Sequence, residues 1–450
     1  MNRYVRAVWT SAVTAGLAFS GAGHAVVSAE EAAQLKGTLT PLGAEKAASK
    51  DGSIPEWTGG VMPAGKSGGK RADPFAGEKP LYSVTAQNVS QYADKLSDGQ
   101  QAMLKKYPNY RIDVYKTHRT ASAPQWVYDN TLKNTTRAKV AKDGYSLEGV
   151  YGGIPFPIPK TGLEAMWNNL LSWKGESLDL DFRVYVTTSD GRRLLSSDVL
   201  LEDQFPYFAK DGSPEKFNGF FHKYRLSING PSQKAGEAVI LHDSLDQGSR
   251  QVWQYLTGQR RVRKLPSAAY DTPAFATSGV SNFDEISIFD GPMDRYEWKL
   301  VGKKELIVPY NTNKIYASAK DSDILAERFV NPDHLRWELH RVWVLEANLI
   351  SGKRHVMPKR TFYLDEDTWM AVLSDGWDAK GQLWKSFWRF TVAAPDMPGV
   401  APGMFGHYNL QTGDWIVNLV MNEKADQIRF VPARPESRFS PDSLAAEGVR

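Results

Sequence analysis

The chain has no cysteine among its 450 residues. That excludes structural disulfides, thiol catalysis, cysteine-ligated metals and a lipidated N-terminal cysteine together. Beyond the N-terminal stretch it lacks any run of ~18 consecutive apolar residues, the length a spanning helix needs. It also lacks a large charge of either sign. The formal net charge of +4 is without the concentrated basic surplus of a nucleic-acid binder. There is no His-Glu-x-x-His pair, and no serine elbow or phosphate-binding glycine loop in the strand–loop–helix setting each needs. His222, His242, His334, His340, His355 and His407 are scattered without metal-ligand spacing. No cofactor and no metal are therefore expected, and no nucleic-acid partner.

What is present begins with MNRYVRAVWTSAVTAGLAFSGAGHA. Arg3 and Arg6 form a basic start, Ala7 to Ala18 a mildly apolar stretch, and Ser20 to Ala25 a small-residue exit. This is the three-part pattern of a secretory signal peptide. Residues 1–25 are expected to be that signal, with cleavage after Ala25 or Ala29. The rest is expected to be soluble in the envelope and not membrane-spanning.

Residues 26–80 are rich in Gly, Pro and Lys and predict an irregular, extended arm. Ile54, Trp57 and Val61 are its expected anchors on the body. Residues 81–175 read as helical: Ser97 and Thr85 are candidate N-caps, and a helix is expected to begin near Ser122 to Pro124. The Pro-rich run from Tyr151 to Lys160 is a stiff connector. It feeds a helix with a Thr161/Glu164 capping box and an apolar stripe of Leu163, Met166, Trp167, Leu170 and Leu171. From residue 176 to 435 the period switches to two. Turn signals recur at Asp190-Gly191, Asn229-Gly230, Thr257-Gly258, Ser351-Gly352, Ala379-Lys380-Gly381 and Thr412-Gly413. Such spacing predicts an antiparallel β meander of roughly ten or more strands, too wide to stay flat. Residues 436–450 are expected to be a flexible tail. The fold class is α+β, a large curved antiparallel sheet with N-terminal helices over its concave face, forming one domain with it.

The 14 Trp, 19 Tyr and 19 Phe suit either a large core or a ligand cavity. Candidate cavity residues are Trp167, Trp253, Tyr255, Trp337, Trp343, Trp384, Trp388 and Phe390. Arg341 shares a strand face with Trp337, Leu339 and Trp343, so it needs a carboxylate or an anionic ligand group. Asp365, Glu366 and Asp367 are candidate partners, and Asp365 and Asp367 are candidate polar site residues. Arg261 and Arg263, facing Trp253 and Tyr255 across a hairpin, could hold an anion or simply guard a sheet edge.

The segments LTPLGAEKAASKDGSIPEWTGG, YGGIPFPIPKTGLEAMWN, YLTGQRRVRKLPSAAYDTP, DRYEWKLVGKKELIVPYN and RWELHRVWVLEANL with KRTFYLDEDTW resemble an exported proteobacterial family of unassigned activity. Its members are described as outer-membrane lipoprotein-sorting proteins, LolA-like in fold. WQYLTGQRRVRKL is similar to the tryptophan-to-arginine hairpin of LolA-like proteins. The resemblance implies a half-barrel sheet around an apolar cavity. It further implies a periplasmic carrier or accessory protein for a hydrophobic or acylated molecule, with an efflux-type inner-membrane transporter as partner. Two other readings stand beside it. One is a structural adaptor of an envelope complex docked through the arm; the other is a hydrolase using acids near Asp365 with Arg341 or His340.

Overall fold

The computed structural model describes residues 27–60, 62, 68–318 and 320–448. The expected signal peptide and Val61 lie outside them. Period-two patterning builds one sheet of sixteen strands. Two short strands, β1 (Tyr82–Val84) and β2 (Ile112–Tyr115), come first. A hairpin series follows: β3 (Ser177–Thr187), β4 (Arg193–Gln204), β5 (Phe220–Gly230), β6 (Ala238–Ser244), β7 (Gln251–Leu256) and β8 (Arg261–Lys264). A long excursion leads to β9 (Tyr296–Pro309) and β10 (Trp337–Leu349). A second series is β11 (Lys359–Asp365), β12 (Ala371–Trp377), β13 (Leu383–Arg389), β14 (Phe405–Asn409), β15 (Trp415–Val420) and β16 (Ile428–Phe430).

Each series is antiparallel, and the β15–β3 pairing, with Trp415 opposite Thr187, joins the two into one surface. The sheet is mostly antiparallel but mixed, because β2 runs parallel to β10. The path of pairings from β1 to β8 does not close on itself, so the sheet is open rather than a barrel. A sheet of this width must coil. Register slips at Val184/Tyr185 and at Asp198/Val199 supply local bends where β3, β4 and β5 meet. At the hairpin turns Gly381 and Gly413 take φ of 73° and 85°, a region that penalises residues with a Cβ.

Helices pack on this sheet. α1 (Ala29–Ala33) opens the described chain, and α2 (Asp98–Lys106) lies on β12 and β13. α3 (Gln125–Arg137) begins after Pro124, and α4 (Gly162–Leu170) lies on β9 and β10. Ser97 with Gln100, and Thr161 with Glu164, form the reciprocal capping boxes that start α2 and α4. In the apolar stripe of α4, Met166, Trp167 and the following Leu171 are buried, and Leu163 and Leu170 are half-buried. The arm docks as well: Ile54 is buried, and the Trp57 indole donates to the Ala121 carbonyl at 2.8 Å. A Cβ on Gly43, at φ 101°, would sit 2.1 Å from the Pro157 carbonyl oxygen, so only glycine lets arm and connector touch. The C-terminal stretch expected as a flexible tail forms α5 (Pro441–Gly448). Its Leu444 is buried with Ile240 and Tyr255 of the β6–β7 edge.

Candidate ligand cavity

On one face of β3, alternation aligns Leu180, Phe182 and Val184. Leu201 of β4 and Leu226 of β5 continue that wall. The loop between β8 and β9 lays Phe275, Phe283, Ile286 and Phe289 across it, and the end of α4 closes one side with Leu170. The space left between them is about 160 Å³. That is on the order of ten times what a single water needs. Its wall is predominantly apolar, as a small-molecule pocket requires.

The polar groups cluster at the β5, β13 and α4 sides. His222 contacts Asp203 at 2.5 Å and Asp243 at 3.5 Å, and stacks on Phe205 with centroids 4.9 Å apart. Burial alone would depress the imidazole, but Asp203 and then Asp243 outweigh it and hold its pKa up at about 9. Arg250 contacts Asp243 at 2.7 Å and Asp290 at 3.3 Å. Both carboxylates lining the cavity, Asp203 and Asp290, therefore already have cations.

Among the described residues, two cations in the same wall have no carboxylate partner. Arg389, the last residue of β13, is 3% exposed. It donates to the Ser287 carbonyl, and among the described residues its Nε has no hydrogen-bond partner. Burial pulls its pKa down to about 10, which leaves it protonated at neutral pH. Lys174, half-buried just beyond α4, donates to the Leu170 carbonyl at 3.3 Å and lies 5.4 Å from the Phe205 ring centre. Burial, and then the neighbouring Arg389 charge, bring its pKa down to about 8, against opposing pulls from Asp203, Asp290 and Asp243.

The structure places the sequence-predicted aromatics elsewhere; none of the eight lines this cavity. Trp167 packs edge-on against the wall residue Phe221 at 5.9 Å while donating to the Tyr145 carbonyl. Trp337, Trp388 and Phe390 pack on one another: Trp388 and Phe390 stack at 4.5 Å, and Trp337 meets Phe390 edge-on. Trp343 stacks on Trp369 at 6.0 Å under Lys303. Trp384 is half-buried beside Lys385. Trp253 and Tyr255 face α5 across the β7 edge, so side chains of the C-terminal segment occupy that surface. Arg261 and Arg263 are exposed on the terminal strand β8, where cations discourage edge pairing.

The acidic turn after β11 is likewise distributed. Arg341 donates to the Ala47 carbonyl at 3.0 Å and lies 3.7 Å from Glu45, so its partners come from the arm rather than from Asp365 or Asp367. Asp367 is held bidentately by Arg119, at 2.6 and 2.9 Å. His340 contacts Glu338 at 3.1 Å, stacks on Tyr310, and lies 3.7 Å from Asp365. Burial, then the Asp367 charge, raise the Asp365 pKa to about 7. His340, Asp365 and Asp367 could each turn one ligand atom to a common point. Both Asp367 oxygens, however, are committed to Arg119, and all three residues are buried. His340 and Arg341, as strand neighbours, point to opposite faces. The arrangement is an internal ion-pair network, not a set of groups converging in an open cleft.

Two motif spellings occur in the arm: Gly-x-x-x-x-Gly-Lys-Ser over 60–67 and Gly-x-Ser-x-Gly over 65–69. Among the described residues neither is flanked by the strand and helix that such loops need. Sequence reading missed Lys174, His222, Asp203, Asp290 and Arg389 as a group. Arg389 did carry a signal, a cation set between Trp388 and Phe390 in an aromatic-rich strand.

The family model described as "Protein of unknown function (DUF1329)" matches residues 83–445. The chain belongs to the DUF1329 family. It is 40% identical over 435 residues to an uncharacterized protein of Pseudomonas aeruginosa, with 95% of each chain covered. Among solved structures it is similar to a domain described as an outer membrane lipoprotein-sorting protein from Vibrio parahaemolyticus. That likeness has 17% identity, 64% of this chain and 98% of that one, and a TM-score of 0.41. A DUF1329 family protein from Desulfovibrio piger matches at 14% identity over 63% of this chain and 97% of its own, with a TM-score of 0.40. A LolA superfamily protein from Nitrosomonas europaea matches at 12% identity over 63% and 100%, with a TM-score of 0.35. The family anticipated from the sequence segments, one of unassigned activity, is thus the one found. Among the described residues of this DUF1329 member no helix is long and apolar enough to cross a membrane.

Proposed function

We propose that the protein is a soluble periplasmic carrier that holds a hydrophobic or acylated molecule in the cavity between β3–β5, the β8–β9 loop and the end of α4. The observation that supports this most is the space of about 160 Å³ with its predominantly apolar wall. Burying a hydrocarbon there removes its surface from water at ~25 cal/mol per Å². The walls are largely pre-formed, so little ordering opposes binding. The reading assigns no chemical step to the protein: the acids around Asp365 are buried in mutual ion pairs. An efflux-type inner-membrane transporter as the partner that loads or unloads the cargo is a finer expectation, resting on the family resemblance alone.

The test is native purification from the host followed by organic extraction and mass spectrometry. A stoichiometric lipid or other apolar compound is expected, and the delipidated protein should rebind it. Clean extracts, together with no uptake of any apolar probe by the delipidated protein, would end the carrier reading.

A further inference from the structure

Buried cations in this protein follow a rule. Arg71 meets Asp396, Arg119 meets Asp367, Arg250 meets Asp243, Arg336 meets Glu338, Arg360 meets Asp284 and Lys385 meets Glu285, all at 2.6–3.0 Å. Lys385 and Arg389 lie on the same face of β13, four residues apart, and both are buried. One has its carboxylate; the other, among the described residues, ends at the cavity with the Ser287 carbonyl and no carboxylate. Lys174 reaches the same cavity, where it meets the Leu170 carbonyl and the Phe205 ring and, among the described residues, no carboxylate within ion-pair distance. Two like charges in one apolar wall repel each other, and burying either without an anion is costly. The carboxylates near them do not relieve this, because Asp203 is taken by His222, and Asp243 and Asp290 by Arg250.

We infer that the cavity is built for an anionic amphiphile, with a hydrocarbon chain along Leu180, Phe182, Leu201 and Leu226 and an anionic head, carboxylate or phosphate, held by Arg389 and Lys174. The inference rests on the carrier reading and names the charge of the cargo. A guanidinium and an ammonium lining one cavity suit either head chemistry, since both offer several N–H donors to acidic oxygens. The head would take the donor capacity that Arg389 leaves unused, and the paired acids would stay with their own cations. A neutral chain of equal length would gain the apolar contacts but leave both cations unmatched. A cationic head would add repulsion to that cost.

The experiment uses the delipidated full chain at pH 7, loaded with the neutral fluorophore phenylnaphthylamine. Dodecanoate, dodecyl phosphate, dodecanol and dodecylamine compete for it. Wild-type protein should bind one or both anions about ten- to hundred-fold more tightly than dodecanol, the range of a charge-assisted hydrogen-bond pair. Dodecylamine should bind most weakly. Which anion binds better distinguishes a fatty-acid from a phosphate source. In Arg389→Met and Lys174→Met the anion preference should shrink, with dodecanol affinity unchanged or improved. Equal binding of dodecanol and both anions would overturn the inference and leave the carrier reading standing. So would an anion preference that survives in the double variant. Failure of all four compounds to displace or bind would remove both. Should the variants not fold, the wild-type comparison decides alone.

Discussion

At the scale of single residues, β13 offers a matched pair for measuring what an ion pair does in this interior. Removing one member of a buried pair strands the other, which costs ~3–5 kcal/mol. Lys385→Met leaves Glu285, fully buried, facing a neutral His407 whose pKa burial pushes well down. A large fall in melting temperature is expected. Arg389→Met does the opposite: it removes a buried charge that strands no carboxylate, and replaces it with hydrocarbon of similar length. Apo stability should rise by ~1–4 kcal/mol, seen as a higher midpoint in urea. A fall of similar size in both variants would mean that Arg389 is an ordinary structural cation. His222 adds a pH dependence of definite sign. Its folded pKa of about 9 lies above its ordinary value, so the native state binds the extra proton between roughly pH 6.5 and 9. The stabilisation is complete below that window and is lost as pH rises through 9, with an upper bound of ~3 kcal/mol. His222→Gln should flatten the stability profile over that window.

At the scale of elements, the contact of α2 with the sheet is a tight one. A Cβ on Gly99 would fall 2.2 Å from both Asp375 Oδ1 and Ser386 Oγ, so Gly99→Ala should lift the helix from β12 and β13 despite its better helix propensity. A loss of ~1–3 kcal/mol in chemical denaturation is expected. Asp375 itself is fully buried against the start of α2. Burial raises its pKa to about 7, in spite of hydrogen bonds from the Gly99 amide and the Ser97 hydroxyl. The native state therefore binds more protons than the unfolded state between about pH 4 and 7, and stability falls as pH rises through that window. Asp375→Asn should remove this loss, gaining ~1–3 kcal/mol at pH 8 and little at pH 4. A gain of equal size at both pH values would assign the effect to packing instead. Elements of this kind were legible in the sequence: the Thr161/Glu164 and Ser97 caps, the hairpin turns at Gly191, Gly381 and Gly413, and the period-two runs all recur as read. The joining of two hairpin series through β15 and β3 was not, because strand pairing over 200 residues leaves no local signal. The docking of α5 was hidden for a related reason, since its one buried leucine, Leu444, finds its partners far back in the chain at Ile240 and Tyr255.

At the scale of the whole molecule, composition identified the material of the cavity but not its place. Fourteen tryptophans pointed to aromatic strand faces, yet those faces bury each other, and the space opens where Leu, Val and Phe of β3–β5 meet an excursion with no periodic pattern. A large ring fills a gap well, so the largest side chains mark where the core is full rather than where it is open. That contrast gives the last prediction. Leu226 lines the cavity and is only half-buried, so Leu226→Trp has room to project inward. A substitution that fills existing space should leave the melting temperature within a few degrees or raise it slightly. It should also abolish uptake of phenylnaphthylamine and of extracted native lipid. Filling a core gap that never holds cargo would raise stability and change nothing else. Unaltered ligand content in a folded Leu226→Trp protein would therefore move the binding site away from this cavity, while loss of ligand with an intact fold would fix it there.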